Sequence, residues 1–112
     1  MFVVTREDIN PGYQAVQSGH ALVEFMYEHP EQSTNWYNIS KYLVFLTVKN
    51  QKELIELSNK LSWRGVLFSE FHEPDLNNEL TAIAIEPSSK SCKLVSSMPL
   101  LLKGYEKLNT KL

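Results

Sequence analysis

The chain has 112 residues and a formal net charge of −2, with 43% apolar and 21% charged residues. These values are typical of a soluble globular protein, and we expect one domain over residues 1–112. The acidic balance argues against a broad electrostatic surface for nucleic acid. A single cysteine, Cys92, excludes an internal disulfide and favours a cytoplasmic location. The first apolar run is too short for a signal sequence or a membrane span.

That first apolar run predicts a short buried strand over residues 2–5. A helix is expected over residues 11–29, because Asn10 can accept hydrogen bonds from the first free amides and Pro11 suits the first helical position. The helix should end before Pro30, since proline disfavours helical geometry in the residue that precedes it.

The rest of the chain alternates between strand-like and helix-like patterns. Residues 31–40 are polar and predict a surface loop that carries Trp36 and Tyr37. The apolar run 42–48 predicts a central strand that is covered on both faces. A helix, two strands and a weakly helical segment are expected after it, over residues 51–61, 66–71, 80–85 and from 88 onward. The order β-α-β-α-β-β-α predicts an α/β fold: a mixed four-stranded β-sheet with helices on both faces.

The predicted helix over residues 11–29 has two distinct faces at 100° per residue. We expect an apolar arc to face the core, formed by Ala15, Val16, Gly19, Leu22, Val23 and Met26. A neighbouring polar stripe is formed by Tyr13, Gln17, His20 and Glu24. Glycine inside a helix costs roughly 1 kcal/mol relative to alanine, so Gly19 predicts a close approach of another backbone. The polar stripe is therefore a candidate wall of a functional site.

The start of this helix resembles a known family motif. The segment Gly12-Tyr13-Gln14-Ala15-Val16-Gln17-Ser18-Gly19-His20-Ala21 is similar to the Gly-Lys-x-Ala-Ala-Gln-x-x-His-Ala motif of the archaeal and eukaryotic type of peptidyl-tRNA hydrolase, the Pth2 family. Residues 81–87 are similar to that family's last strand, Thr-Val-Leu-x-Ile-x-Pro. The resemblance covers nearly the whole chain. It implies cleavage of the ester between a peptide and the 3′ end of tRNA, without a metal, by a protein that is often a homodimer.

The chain departs from the family pattern at two places. Tyr13 stands where the family has a lysine that is expected to meet RNA phosphate. Residues 69–74 align with the family's Asp-Ala-Gly-Arg-Thr-Gln segment, and its Asp, Arg and Thr have no counterpart here. Glu70, Glu73 and Asp75 are carboxylates close enough in sequence to substitute for them in function.

The first functional hypothesis is a hydrolase that cleaves peptidyl-tRNA, or a related acyl conjugate, with activated water. His20 would activate the water together with one carboxylate, for which the candidates are Glu70, Glu73 and Asp75. Groups expected to bind the substrate are Gly12, Tyr13, Gln17, Arg6 and Thr81, with backbone amides near Gly12 and the side chains of Gln17 and Thr81 positioning the carbonyl. The alternative is structural: His20 bonds a backbone carbonyl at the helix border, and the carboxylates solvate a turn.

Two further groups of side chains leave alternatives open. The cations Arg6, Lys41, Lys49 and Arg64 either form a small phosphate-binding surface or are ordinary solvated charges. The aromatic residues Trp36, Tyr37 and Trp63 either stack on a base or cover the core and a dimer interface. His20, His72, Glu73 and Asp75 have no spacing typical of a metal site, so neither a metal nor another cofactor is expected.

The second hypothesis is a non-catalytic module of the same fold that binds a ligand or partner as a dimer. It is motivated by the missing lysine, the missing Asp, Arg and Thr, and the acidic net charge. It predicts binding that survives substitution of His20 and Glu73 and fails when the segment around Trp36 is changed.

Overall fold

The computed structural model describes residues 1–105 and has one sheet between two layers of helices. The elements follow in the order β1 (Phe2–Arg6), α1 (Pro11–Glu28), α2 (Pro30–Ile39), β2 (Val44–Val48), α3 (Gln51–Arg64), β3 (Phe68–Glu73), β4 (Glu79–Ile85) and α4 (Ser89–Val95). The strand order is β2-β1-β4-β3, with β1 parallel to β2 and β4 antiparallel to both of its neighbours. The predicted mixed four-stranded α/β fold is confirmed.

Each face of the sheet has its own apolar core. On one face α1 and α2 cover a cluster formed by Met1, Val3, Ala21, Phe25, Ala82 and Ala84, with Trp36 and Phe71 at its border. On the other face α3 and α4 cover a larger cluster that includes Phe2, Val4, Leu54, Leu57, Leu61, Ile83, Ile85 and Val95. Successive strand residues point to opposite faces, so neighbouring residues of β1 and β4 belong to different cores.

The helix boundaries follow from local chemistry. The side chain of Asn10 accepts a hydrogen bond from the Tyr13 amide at 2.8 Å, with Pro11 as the first helical residue of α1. Asn50 caps α3 in the same way, and Gly65 ends that helix with a φ of 68°, in the left-handed region that glycine adopts without strain. The predicted start of α1 at Pro11 is confirmed, and α3 begins at Gln51 as expected but continues to Arg64, three residues beyond its expected end.

The prediction of a loop over residues 31–40 is wrong, because this segment is the helix α2. Pro30 occupies its first position and Glu31 lies in its first turn, where a carboxylate is favoured by the free amides. Only Ser33 is fully buried. Because α2 buries so few side chains, its polar sequence has no amphipathic pattern that would predict a helix. It is held to the rest of the fold mainly through Trp36, whose Nε1 donates to the Tyr42 carbonyl at 2.6 Å.

The prediction of the buried face of α1 is also wrong. Val16, Val23 and Met26 are 51%, 65% and 45% exposed. The residues that α1 buries against the sheet are Gln14, Gln17, Ser18, Ala21 and Phe25. A Cβ added to Gly19 would meet nothing within 4 Å, so no other backbone approaches it. The helix is rotated so that two glutamine side chains point inward, where each finds hydrogen-bond partners.

Candidate active site

A buried hydrogen-bonded triad joins α1 to β3 and β4. The side chain of Gln17, which is 0% exposed, donates from Nε2 to Oε1 of Glu73 at 2.9 Å. Its Oε1 accepts from the hydroxyl of Thr81, also 0% exposed, at 2.6 Å. Glu73 is 9% exposed. The triad thus places a carboxylate at the border of the core with one amide donor directed at it.

A β-bulge directs Thr81 toward this triad. Phe71 pairs with Ala82 whereas His72 pairs with Leu80, so Thr81 is an extra residue in β4. Leu80 and Ile83 belong to the core under α3 and Ala82 to the core under α1. Regular alternation back from Ile83 would turn residue 81 toward α3, and the bulge turns it toward Gln17 instead.

The hydrogen bonds of Gln17 determine how its amide is oriented. The NH₂ group is the donor and faces the Glu73 carboxylate, because the amide oxygen would repel the carboxylate oxygens. The amide oxygen then faces Thr81, whose hydroxyl also lies 3.3 Å from the Phe71 carbonyl. Among residues 1–105 no cation lies within 4 Å of Glu73, so Gln17 supplies its hydrogen-bonded support.

His20 lies one turn after Gln17 on the same side of α1. Its ring stacks on Phe71 with 4.6 Å between centroids and 12° between planes, and the residue is exposed. Phe71 and Glu73 are two residues apart on one face of β3, a spacing of roughly 7 Å along a strand. The imidazole therefore lies against the same face of β3 as the Glu73 carboxylate, roughly one strand repeat away from it.

The first turn of α1 lies next to this cluster. The amide of Tyr13 is used by the Asn10 cap, and the tyrosine side chain is half-buried. No hydrogen bond of the Gly12 amide is found within the described part of the chain. Gly12 is exposed, and a Cβ there would lie 3.5 Å from Oδ1 of Asn10, an ordinary contact. This position therefore does not require glycine on steric grounds.

Of the three predicted carboxylates, only Glu73 joins His20 and Gln17. Glu70 lies on the opposite face of the sheet, where its Oε2 accepts from the hydroxyl of Ser58 on α3 at 2.6 Å. Its other oxygen lies 3.4 Å from Nε2 of His72. Asp75 is exposed in a 3-10 turn (Pro74–Leu76) and makes no side-chain hydrogen bond within residues 1–105.

Arg6 is buried in an ion-pair network. Its Nε and Nη2 donate to the two oxygens of Asp8 at 2.7 and 2.9 Å, and Nη1 donates to Glu79 at 2.7 Å. The same Nη1 lies 3.3 Å from the Leu80 carbonyl. These bonds raise the pKa of Arg6 and lower that of Asp8. With its donors already used, Arg6 ties the end of β1 to the residues that precede the bulge and offers little to a substrate phosphate.

Sequence reasoning missed the supporting residues of this site. Gln14 donates from Nε2 to the Ile9 carbonyl at 2.7 Å and holds the connection between β1 and α1. The hydroxyl of Thr5 donates to the Thr81 carbonyl at 2.7 Å and fixes the backbone of the bulge. The sequence does place Gln14 and Gln17 on one side of the helix, because they are three residues apart. Nothing local indicates that this side is buried.

Two cavities lie at the carboxyl ends of β1 and β2, away from the triad. They measure about 340 and 370 Å³ and share Glu7, Thr47 and Pro99 in their walls. Neither is lined by Gln17, Glu73, Thr81 or His20. These two cavities are therefore separate from the candidate site, of whose four residues only His20 is exposed.

Within residues 1–105 no group of three or more His, Cys, Asp or Glu side chains is placed to hold a metal ion. The same part of the chain contains no helix of the length and hydropathy needed to cross a membrane.

Comparison with known proteins agrees with the motif at the start of α1. The model of the family described as peptidyl-tRNA hydrolase PTH2 matches residues 1–100. A curated relative, the peptidyl-tRNA hydrolase of Methanocaldococcus jannaschii, is 29% identical over 113 residues, which cover 90% of this chain and 98% of the relative.

Proposed function

The chain belongs to the peptidyl-tRNA hydrolase PTH2 family, and we propose that it cleaves the ester that joins a peptide to the 3′ end of tRNA. The observation that carries the proposal is Glu73, a largely buried carboxylate held by Gln17, two residues along β3 from the Phe71 ring on which His20 stacks. A general base must be held in place and lie within reach of a water molecule. Gln17 supports the first requirement for Glu73, and the second is part of the proposal, whereas Glu70 lies on the opposite face of the sheet.

In the proposed mechanism Glu73 accepts a proton from a water molecule that His20 helps to orient. The oxygen of this water forms a bond to the acyl carbon, and the bond between that carbon and the ribose oxygen breaks. The ribose oxygen takes up the proton that Glu73 accepted and leaves as the free 3′ end of tRNA, so Glu73 is regenerated as a carboxylate. Gln17 and Thr81 act as positioning residues, because their polar groups are already engaged within the triad.

The free amide of Gly12 is the proposed donor to the developing oxyanion, since a helix N-terminus favours negative charge. Tyr13, half-buried beside it, is proposed to contact the terminal nucleotide in place of the family's lysine. A phenol supplies a ring and one hydroxyl but no positive charge. This exchange is expected to weaken the salt dependence of substrate binding near the reactive ester.

The test is single-turnover hydrolysis of labelled peptidyl-tRNA by wild type, Glu73→Gln and His20→Ala. Loss of the general base should lower the rate constant by roughly 100- to 10,000-fold. The chain supplies matched controls of the same residue types on the opposite face of the sheet, Glu70→Gln and His72→Ala, which should retain activity.

Equal losses in Glu70→Gln and Glu73→Gln would contradict the assignment of the base. Circular dichroism of each variant separates an effect on chemistry from unfolding. Absence of turnover in folded wild-type protein would contradict the proposed hydrolase.

The second candidate is the non-catalytic dimeric module. Its lack of catalysis is motivated by Tyr13 in place of the family's lysine and by the missing Asp, Arg and Thr, and its dimer is supported by the outer face of α1. Val16, Val23, Met26 and Tyr27 are all at least 45% exposed there, next to His20. Exposed apolar stripes of this kind mark protein interaction sites, so a homodimer through α1 is proposed in either case.

The test of this homodimer is light scattering, which should give a dimer mass for wild type and a monomer mass for Val23→Glu. A monomeric wild type would contradict the proposed homodimer.

A further inference from the structure

Charge is distributed unevenly between the two helix layers. Helices α1 and α2 contain three acidic residues and no lysine or arginine, whereas α3 and α4 contain five basic and two acidic residues. The two layers lie on opposite faces of the sheet. The net charge of −2 therefore conceals a face with excess positive charge, which attracts polyanions. This face is opposite the candidate active site.

The last turn of α3 carries a fully solvent-exposed tryptophan. Trp63 is 89% exposed, more than any other large apolar residue of the described chain. Lys60 lies one turn before it and Arg64 directly after it. An indole that is this exposed gains no free energy of burial from the core of its own protein. It is removed from water only when another molecule covers it.

Cations from two helices lie near the end of α3 that carries Trp63. Nζ of Lys90, in the first turn of α4, lies 3.2 Å from the Arg64 carbonyl, which brings α4 to the end of α3. Lys93 is one turn further along α4 and is exposed. Within residues 1–105 none of these side chains makes an ion pair. The acidic residues of α3, Glu53 and Glu56, lie in its first half, and α4 has none.

We propose that this end of the α3–α4 layer binds unpaired nucleotides of a nucleic acid. A base stacks on Trp63, and Arg64, Lys90, Lys60 and Lys93 contact the adjoining phosphates. Bases stack on aromatic side chains irrespective of their sequence, and cations along the backbone supply the electrostatic attraction. The surface uses none of the groups proposed for ester hydrolysis, so it is a second contact for nucleic acid.

The surroundings of Trp63 favour a nucleic acid over a protein partner. Its neighbours in sequence, Ser62, Arg64 and Gly65, are polar or lack a side chain, and all are exposed. The centre of a protein interface is apolar and depleted of charge. A single indole among cations has the opposite composition, which matches the stacked base and charged backbone of a single strand.

The experiment follows the fluorescence of Trp63 during titration with an octamer of uridylate. The variant Trp36→Phe leaves Trp63 as the only tryptophan, because the chain has two. Saturable quenching is expected, with an affinity that falls as salt is added, by a slope of about −0.7 for each phosphate contact. A parallel titration with the matching deoxyoctamer distinguishes RNA from DNA as the source of the nucleotides.

Binding of a labelled octamer to variants without the Trp36 change provides a second measurement. Trp63→Ala should weaken binding roughly 5- to 150-fold, the range for one stacked base. The matched control is Tyr27→Ala, which removes an aromatic residue that is 83% exposed on the acidic layer and should bind like wild type. Arg64→Ser should reduce the salt slope.

Equal binding by wild type and Trp63→Ala would overturn the proposal. So would equal quenching by heparin, which has charge but no bases, or self-association that depends on Trp63 in protein that binds no octamer. Glu73→Gln should bind the octamer like wild type. The octamer titration and the hydrolysis assay can therefore contradict the proposed nucleic-acid contact and the proposed hydrolase independently of one another.

Discussion

The hydroxyl of Thr81 and the amide of Gln17 should contribute to stability as one unit. Thr81→Val keeps the shape of the side chain and removes the donor that lies 2.6 Å from the Gln17 oxygen. That oxygen is buried and cannot rotate away without directing itself at Glu73, so it loses its partner. An unpaired buried acceptor costs about 1–3 kcal/mol.

The assay is urea unfolding in a double-mutant cycle with Gln17→Leu. A loss of about 2 kcal/mol lowers the midpoint by about 1 M when the slope is about 2 kcal/mol per molar urea. In the Gln17→Leu background the acceptor is gone, so Thr81→Val should cost little more. The expected coupling free energy is about 0.5–3 kcal/mol, the range for residues in one network.

Thr47→Val is the matched control for this cycle. Thr47 is also buried in the sheet, at 3% exposed, and its hydroxyl lies 3.4 Å from Glu7 rather than near Gln17. Its cost should add to that of Gln17→Leu. If Thr81→Val costs the same with and without Gln17, the hydrogen bond between Thr81 and Gln17 is refuted as a source of stability.

Four further substitutions test individual features of the fold. In thermal unfolding, Gly19→Ala should stabilise the protein by about 0.5–1 kcal/mol, because nothing lies within 4 Å of the added Cβ. Gly65→Ala should destabilise it in the same assay, because Gly65 has a φ of 68°, which alanine adopts only with strain. The hydrogen bond from Arg6 lowers the pKa of Asp8 in the folded protein below its usual value of 3.8. The ion pair therefore stabilises the folded protein fully above pH 3.8, and this stabilisation is lost as the pH falls through the lowered pKa of the folded state. Asp8→Asn should therefore reduce the dependence of the urea midpoint on pH below about 4; an unchanged dependence would contradict the ion pair. Leu61→Ala, at a fully buried position, should cost about 2–5 kcal/mol in urea unfolding, and a smaller loss would indicate a loosely packed core under α3.

Much of the fold was predictable because its signals are local. Asn10 and Asn50 accept hydrogen bonds from amides only three residues away, and Gly65 ends α3 through its own backbone conformation. The apolar runs over residues 2–5 and 80–85 indicated buried strands without reference to any partner, whereas the run over residues 42–48, expected to form a central strand, supplies the edge strand β2. The motif at the start of α1 identified the family and drew attention to Gln17 and His20 before any geometry was known.

The tertiary structure decided which of these residues act together. The rotation of α1 depends on the partners that Gln14 and Gln17 find on other elements, and these lie up to 64 residues away in the chain. The side of the sheet reached by Thr81 depends on one extra residue in β4, which shifts the alternation of the strand. Glu70 and Glu73 lie on opposite faces because β3 continues to Glu73, beyond the expected strand end at residue 71, and side chains three residues apart in a strand alternate. Local composition determines where helices and strands form, whereas the free energy of long-range pairing determines which side chains meet.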